Sequence, residues 1–313
     1  VTPYRLVTFT ADGTDRPGLL VGDRVLDLVA ATAQGHQGTA HGAPTDLRGI
    51  IEGWSPRVAA RVQAMADAGL GDGPGTYALA DVQLRTPLRN PSNLLCIAAN
   101  YKAHADEMGR DSAVDPDNEE PVFFAKSPRN CIADPGAPFV MPAGRNIDWE
   151  GELALVIGTT AKNVPLETAM DHVFGYLVGF DVSDRGGEGR PTTKMFAPPY
   201  WYRGKSHDGA APLGPWIVPA AHVANPGDLR IVTRVNGEIK QDGTTARLVW
   251  DLPHIIRSAS AVMTLHPGDI LFTGTPDGVG QGRKPPEFLK AGDVVEIEIE
   301  GIGSISTPMV AEG

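Results

Sequence analysis

The chain has 313 residues, enough for one large domain or a large domain with a small partner. Hydrophobic residues make up 42% and charged residues 21%, which excludes disorder as the dominant state. Acidic residues number 38 against 27 basic ones, and the resulting formal charge of -11 argues against nonspecific binding to nucleic acid or to an anionic membrane.

The 37 glycines and 27 prolines imply many turns and few long helices. Cys96 and Cys131 fit neither a disulfide framework nor a zinc motif and read as small core residues. No apolar run reaches the ~18 residues of a membrane-spanning helix, and the first residues lack a leader pattern. The expected setting is soluble and cytoplasmic.

Residues 1–85 read as a small α+β unit. Residues 5–10 alternate like a strand, and GLLVGDRVLDL, residues 18–28, reads as strand, Gly-Asp turn and strand. A helix is expected from Ser55, which can cap it, with Pro56 at its first position. Residues 84–91 then lead into a larger, mostly β unit, residues 86–313.

That unit opens with a short strand, 94–98, and a brief helix around 101–108. His104 and Glu107 lie three apart in NYKAHADE, so a helix puts them on one face. They form either an ordinary surface pair or a base in which the acid orients the imidazole. Residues 110–120 are polar and acidic, as in a solvated loop or a lid over a site.

GELALVIG, residues 151–158, is an apolar strand entered through Glu150-Gly151-Glu152. Strand period two puts both carboxylates on one face, and Gly151 leaves room on the other. Adjacent like charges need a cation, a shared proton or open water. Asp181 closes a second apolar strand, FGYLVGFD. Three such acids suit a hard divalent ion, Mg2+ or Mn2+, or else mark a wet sheet edge.

Gly204-Lys205-Ser206 is not a phosphate-binding loop, because Pro199 stands where that motif needs glycine. Lys205 is either an ordinary lysine or a point charge for a carboxylate or enolate. Asn236-Gly237 signals a hairpin, residues 251–263 the clearest long helix, and DVVEIEIE an alternating strand. FTGTPDGVG, residues 272–280, is a tight loop that can either serve as a plain turn or offer N–H groups to an anion.

Taken together, NYKAHADE, FFAKSPRN, DWEGELALVIG, FDVSDR, GKSHDGAAPLGP, VNGEIKQDG and TLHPGDILFTGTPDGVG resemble the fumarylacetoacetate hydrolase superfamily, from about residue 93 to 310. The resemblance implies a mixed β-barrel or roll behind a small α+β unit, and a homodimer. It implies Mg2+ or Mn2+ on Glu150, Glu152 and Asp181, and a small 2-oxo acid as substrate. It assigns His104, Glu107 and Lys205 to catalysis, and Tyr101, Lys126, Arg185 and Thr275 to the substrate. Two positions depart from the family pattern, Phe180 before the third acid and Gly186 after the arginine, and suggest an altered wall beside the metal.

The leading functional expectation is a metal-dependent hydrolase of a C–C bond in a 2,4-diketo acid, either an acylpyruvate or a sugar-derived acid. The alternatives are a decarboxylase or enol–keto isomerase on the same scaffold, and a noncatalytic oligomeric binding protein.

Overall fold

The computed structural model describes residues 1–33, 44–110, 114–116, 118–187 and 201–313. Residues 111–113 and 117 of the acidic segment, residues 188–190 of RGGEGR, and Pro199 lie outside them.

The leading strands are β1 (Arg5–Ala11), β2 (Thr14–Val21), β3 (Arg24–Asp27), β4 (Thr76–Ala78) and β5 (Gln83–Arg85). The body continues with β6 (Leu94–Ile97), β7 (Phe123–Ala125), β8 (Ile132–Ala133), β9 (Phe139–Met141), β10 (Arg145–Asp148), β11 (Gly151–Ile157), β12 (Val173–Phe180), β13 (Ser183–Gly187) and β14 (Ala211–Pro219). It closes with β15 (Arg230–Val235), β16 (Glu238–Thr244), β17 (Ile270–Phe272), β18 (Val294–Ile299) and β19 (Gly303–Ala311).

The largest sheet runs β4-β3-β2-β1-β14-β12-β11-β17-β6-β7, with β5 on β1 and β8 on β14. A second sheet runs β16-β15-β18-β19-β9, and β10 pairs with β13. The fold is mostly strand in mixed sheets, as expected. Among the described residues the strand paths stay open, so the expected barrel is not closed. Pairing of Leu6 with Ile217 carries the sheet from the leading unit into the body without a break.

Strand β11 divides the interior, and all seven of its residues are buried. Leu153, Leu155 and Ile157 enter one apolar cluster with the second sheet, where Val295, Ile297 and Ile299 form the inward face of β18. Ala154 and Val156 enter another, with Leu6, Leu19 and Leu47 of the leading unit. A strand covered on both faces reads as a continuous apolar run, which explains the composition of GELALVIG. Any side chain at Gly151 would collide with Thr233 and Ile297, so glycine lets the second sheet close against the acid-bearing strand.

The local signals hold where chemistry dictates them. Ser55 accepts from the Val58 N–H at the start of the helix Pro56–Ala68. Asp251 accepts from His254 N–H at the start of Leu252–Val262. Asn236 and Gly237 both take positive φ, 53° and 81°, in the β15–β16 turn. No helix of the described residues is long and apolar enough to cross a membrane.

Candidate active site

The acid cluster follows from strand register. β11 and β12 pair antiparallel with Gly151 opposite Phe180, so the acids flanking those ends meet. The Asp181 N–H donates to the Glu150 carbonyl at 2.9 Å. Glu150, Glu152 and Asp181 are all buried, and one carboxylate oxygen from each lies within 4.8 Å of the others.

Three cations compensate them. Lys205 Nζ donates to Glu150 Oε2 and Asp181 Oδ2, each at 2.6 Å, and to Ser183 Oγ at 2.5 Å. All three ammonium protons are thereby committed. Lys126 Nζ pairs with Asp181 Oδ1 at 2.7 Å and donates to the carbonyls of Lys205 and Ala210. Arg185 donates to Glu150 and, at 2.8 Å, to Asp148 Oδ2.

These contacts separate the two neighbouring glutamates. Burial would raise the Glu150 carboxyl, but Lys205 and Arg185 override it and hold Glu150 low. Burial, then Asp181 and Glu150, push the Glu152 carboxyl well up, with the 2.6 Å bond from Gly274 N–H opposing them. Lys205 is held above its ordinary range by Asp181 and Glu150 in spite of its burial.

The base is assembled by the loop after β17. His104 and Glu107 lie on the short helix Lys102–Glu107, with His104 Nδ1 2.8 Å from Glu107 Oε1. Glu107 also accepts from Gly278 N–H at 2.8 Å and Val279 N–H at 3.4 Å. A carboxylate fixed by backbone donors accepts from Nδ1–H and leaves Nε2 as the basic nitrogen. In the same loop Gly280 and Gln281 donate to Asp148 at 2.7 and 3.1 Å.

His104, Glu150, Glu152, Arg185, Lys205 and Thr275 line one cleft, which encloses about 390 Å³ counting the solvent at its mouth. Phe124 and Trp201 form an aromatic wall, stacked with centroids 5.4 Å apart. The remaining expected site residues sit behind this surface. Lys126 is fully buried beneath Asp181. Tyr101 is 1% exposed, its hydroxyl has no partner among the described residues, and burial pushes its phenol up.

Thr275 donates to the Gly151 carbonyl at 3.0 Å and accepts from Gln241 at 2.8 Å. Its hydroxyl proton therefore ties the loop to β11. The expected altered wall is corrected: Phe180 is a fully buried core residue, and the Gly186 N–H donates to Asp184 Oδ1. Neither lines the cleft. His207 Nε2 meets Asp184 Oδ2 at 2.9 Å.

Sequence reasoning missed two residues. Asp148 shares the period-two face of Glu150 and Glu152, and extending that alternation by one step finds it. Gln241, buried in VNGEIKQDG, accepts from Gly151 N–H and donates to the Pro276 carbonyl. Nothing local in its segment marks that role.

The donor set suits a divalent ion. All three candidate ligands are carboxylates, which hard cations prefer. Four acids, with Asp148, face three cations, and Glu152 has no side-chain cation bonded to it among the described residues.

Residues 93–310 match the family described as fumarylacetoacetate (FAA) hydrolase, C-terminal. The chain belongs to this family. It is 42% identical over 232 residues to the mitochondrial oxaloacetate tautomerase fahd2 of Xenopus laevis, covering 74% of this chain and 69% of that one. It is 39% identical over 235 residues to oxaloacetate tautomerase YisK of Bacillus subtilis, covering 74% of each. Among solved structures, the fold superposes on maleylpyruvate hydrolase from Sphingobium sp. SYK-6 in complex with manganese (II) and pyruvate. The TM-score is 0.75 at 31% identity, over 99% of this chain and 100% of that one. The family resemblance seen in the motifs is thus shown, and the chain is an enzyme of the fumarylacetoacetate hydrolase family.

Proposed function

We propose that this enzyme is a divalent-metal-dependent keto–enol tautomerase of 2-oxo acids. The observation that carries the reading is that His104, held by Glu107, lines one cleft with Glu150 and Glu152 of the three-carboxylate cluster. The tautomerase names of the 42% and 39% identical relatives support the reaction class.

Glu150, Glu152 and Asp181 would hold Mg2+ or Mn2+, and the manganese in the maleylpyruvate hydrolase crystal supports that choice. An ion bound there would supply Lewis-acid polarisation of a 2-oxo acid carbonyl. Nε2 of His104 takes the proton from the carbon beside the carbonyl, while Glu107 keeps the tautomer and steadies the imidazolium. The Gly278 and Val279 N–H groups hold Glu107 through the transfer. Returning the proton to the other end of the enolate completes the tautomerisation. Lys205 and Arg185 keep Glu150 ionised throughout.

The second reading, hydrolysis of a 2,4-diketo acid, is favoured by the full-length likeness to maleylpyruvate hydrolase. There the same His104–Glu107 pair takes its proton from water instead of carbon.

The deciding experiment follows oxaloacetate and an acylpyruvate by NMR and mass spectrometry, with added Mn2+ and with a chelator. Metal-dependent enol–keto interconversion at constant mass is the expected result. Metal-dependent release of pyruvate and a second acid from the acylpyruvate, with no acceleration of interconversion, overturns the tautomerase reading in favour of hydrolysis.

A further inference from the structure

Between Asp148 and Glu150 the chain places a tryptophan, and Trp149 is fully buried. Its indole Nε1 donates to the Gly278 carbonyl at 3.1 Å. Arg283 Nη2 reaches the same carbonyl only at 3.5 Å and makes its shorter bond, 2.9 Å, to the Lys240 carbonyl. Trp149 is therefore the main donor to this oxygen among the described residues.

The oxygen belongs to the peptide unit that faces the base. The Gly278 carbonyl and the Val279 N–H are the two ends of one trans peptide, so they point in opposite directions within one plane. The N–H end meets Glu107 Oε1 at 3.4 Å, the oxygen that lies 2.8 Å from His104 Nδ1. The preceding N–H, of Gly278, meets Glu107 Oε2 at 2.8 Å. Holding the carbonyl thus fixes the tilt of a donor to Glu107, and a carbonyl that accepts a hydrogen bond makes its own N–H a better donor.

The indole is itself held. Lys240 Nζ and the Arg283 guanidinium lie over its ring, 5.9 and 5.7 Å from the centroid. Glu287 pairs with Lys240 at 2.7 Å, and its backbone N–H donates to the Gly280 carbonyl at 2.9 Å, in the same loop. The residue before the indole, Asp148, accepts from the Gly280 and Gln281 N–H groups. The chain that leads into the acid cluster therefore grips the loop that holds the base.

We propose that Trp149 is a positioning residue for the base: through the Gly278–Val279 peptide it sets Glu107, and so the tautomer of His104. The inference rests on the reading of His104 as the base, and it adds the residue that keeps the base in register with the carboxylates.

Trp149→Phe removes the donor and keeps an aromatic ring. Nitrogen NMR of the histidine rings shows which nitrogen carries the proton. It is run on the metal-free full chain at about pH 9, where an ordinary imidazole is neutral, and His104→Ala identifies the signal. Wild-type protein should hold the Nδ1–H form, and Trp149→Phe should move the tautomer ratio toward Nε2–H by about fivefold or more. Turnover should fall about 5- to 30-fold with KM within about twofold, because Glu107 acts on the imidazole. In Glu107→Gln protein the same substitution should cost less than about twofold. If Trp149→Phe does not fold, the benzothienyl analogue of tryptophan at position 149, with sulfur in place of the N–H, makes the same comparison.

A tautomer ratio that does not change when the donor is lost overturns the proposal. So does a loss of turnover that persists in full in the Glu107→Gln background. Wild-type protein that fails to interconvert enol and keto forms with Mn2+ overturns the tautomerase reading instead, and the ring measurement, made without metal or substrate, still decides this one.

Discussion

On one side of the cleft, Glu150, Glu152 and Asp181 stand at the ends of strands buried on both faces. Two of these acids are ion-paired, and the third accepts a backbone N–H. On the other side, His104 and Glu107 ride on a six-residue helix, too short to be stable by itself. Its order is borrowed: Glu107 is pinned by Gly278 and Val279, which lie about 170 residues along the chain from it. The contrast divides the labour. The carboxylate side is a rigid, over-determined socket, and the base side is a light element positioned by a loop. Substitutions on the two sides should therefore fail in different ways.

The largest effect is expected from the socket. Asp181→Asn keeps the shape but removes a charge shared by Lys126 and Lys205. Affinity for Mn2+ should fall by at least about 100-fold and turnover with it, because losing a ligand exceeds the usual cost of disturbing a ligand's neighbours. Stability should drop by about 3 kcal/mol, since two buried ammonium groups are left under-compensated. Metal titration and urea unfolding read these separately. Stoichiometric Mn2+ binding at wild-type affinity would remove Asp181 from the socket.

A smaller, cleaner loss is expected on the base side. His104→Ala should lower turnover by about 10² to 10⁴-fold while Mn2+ affinity stays within a few-fold. If turnover survives intact, proton transfer belongs to another group.

The smallest effect probes the borrowed order itself. A methyl group at Gly282 would stand 2.8 Å from the Glu107 carboxylate. Gly282→Ala should shift Glu107 and cost about tenfold in turnover, with metal affinity and melting temperature near wild type. Unchanged turnover would show that the base tolerates displacement, and the contrast between the two sides would lose its force.

The same contrast marks what the sequence reveals. The socket is legible because strand chemistry is local: Glu150 and Glu152 alternate about a glycine, and Asp181 ends an apolar run. The base is half legible. The three-residue spacing pairs His104 with Glu107, but no local pattern predicts that a distant loop holds Glu107. Lys205 shows the limit most clearly. Its letters suggest at most a point charge, and only the fold shows it closing on Glu150, Asp181 and Ser183 together. Gln241 depends on convergence in the same way. The expected altered wall fails because sequence adjacency to Asp181 says nothing about facing: Phe180 points into the core cluster that holds Trp149 and Val178. Barrel closure could not be read either, since it depends on which strands meet at the sheet's ends.

The junction of β1 with β14 carries a practical lesson. Tyr4, Leu6, Leu19, Leu47 and Ile51 of the leading unit share one apolar cluster with Ala154, Phe174 and Ile217 of the body. The segment that matches the family begins at residue 93, beyond every one of those leading residues. Cutting the chain there would bare a greasy face and strip β14 of a neighbour, leaving a sticky strand margin open to other copies. Leu6, Leu19 and Leu47 would thus shield the chain from other copies, on the same face of β11 that carries Glu150 and Glu152 at its other end.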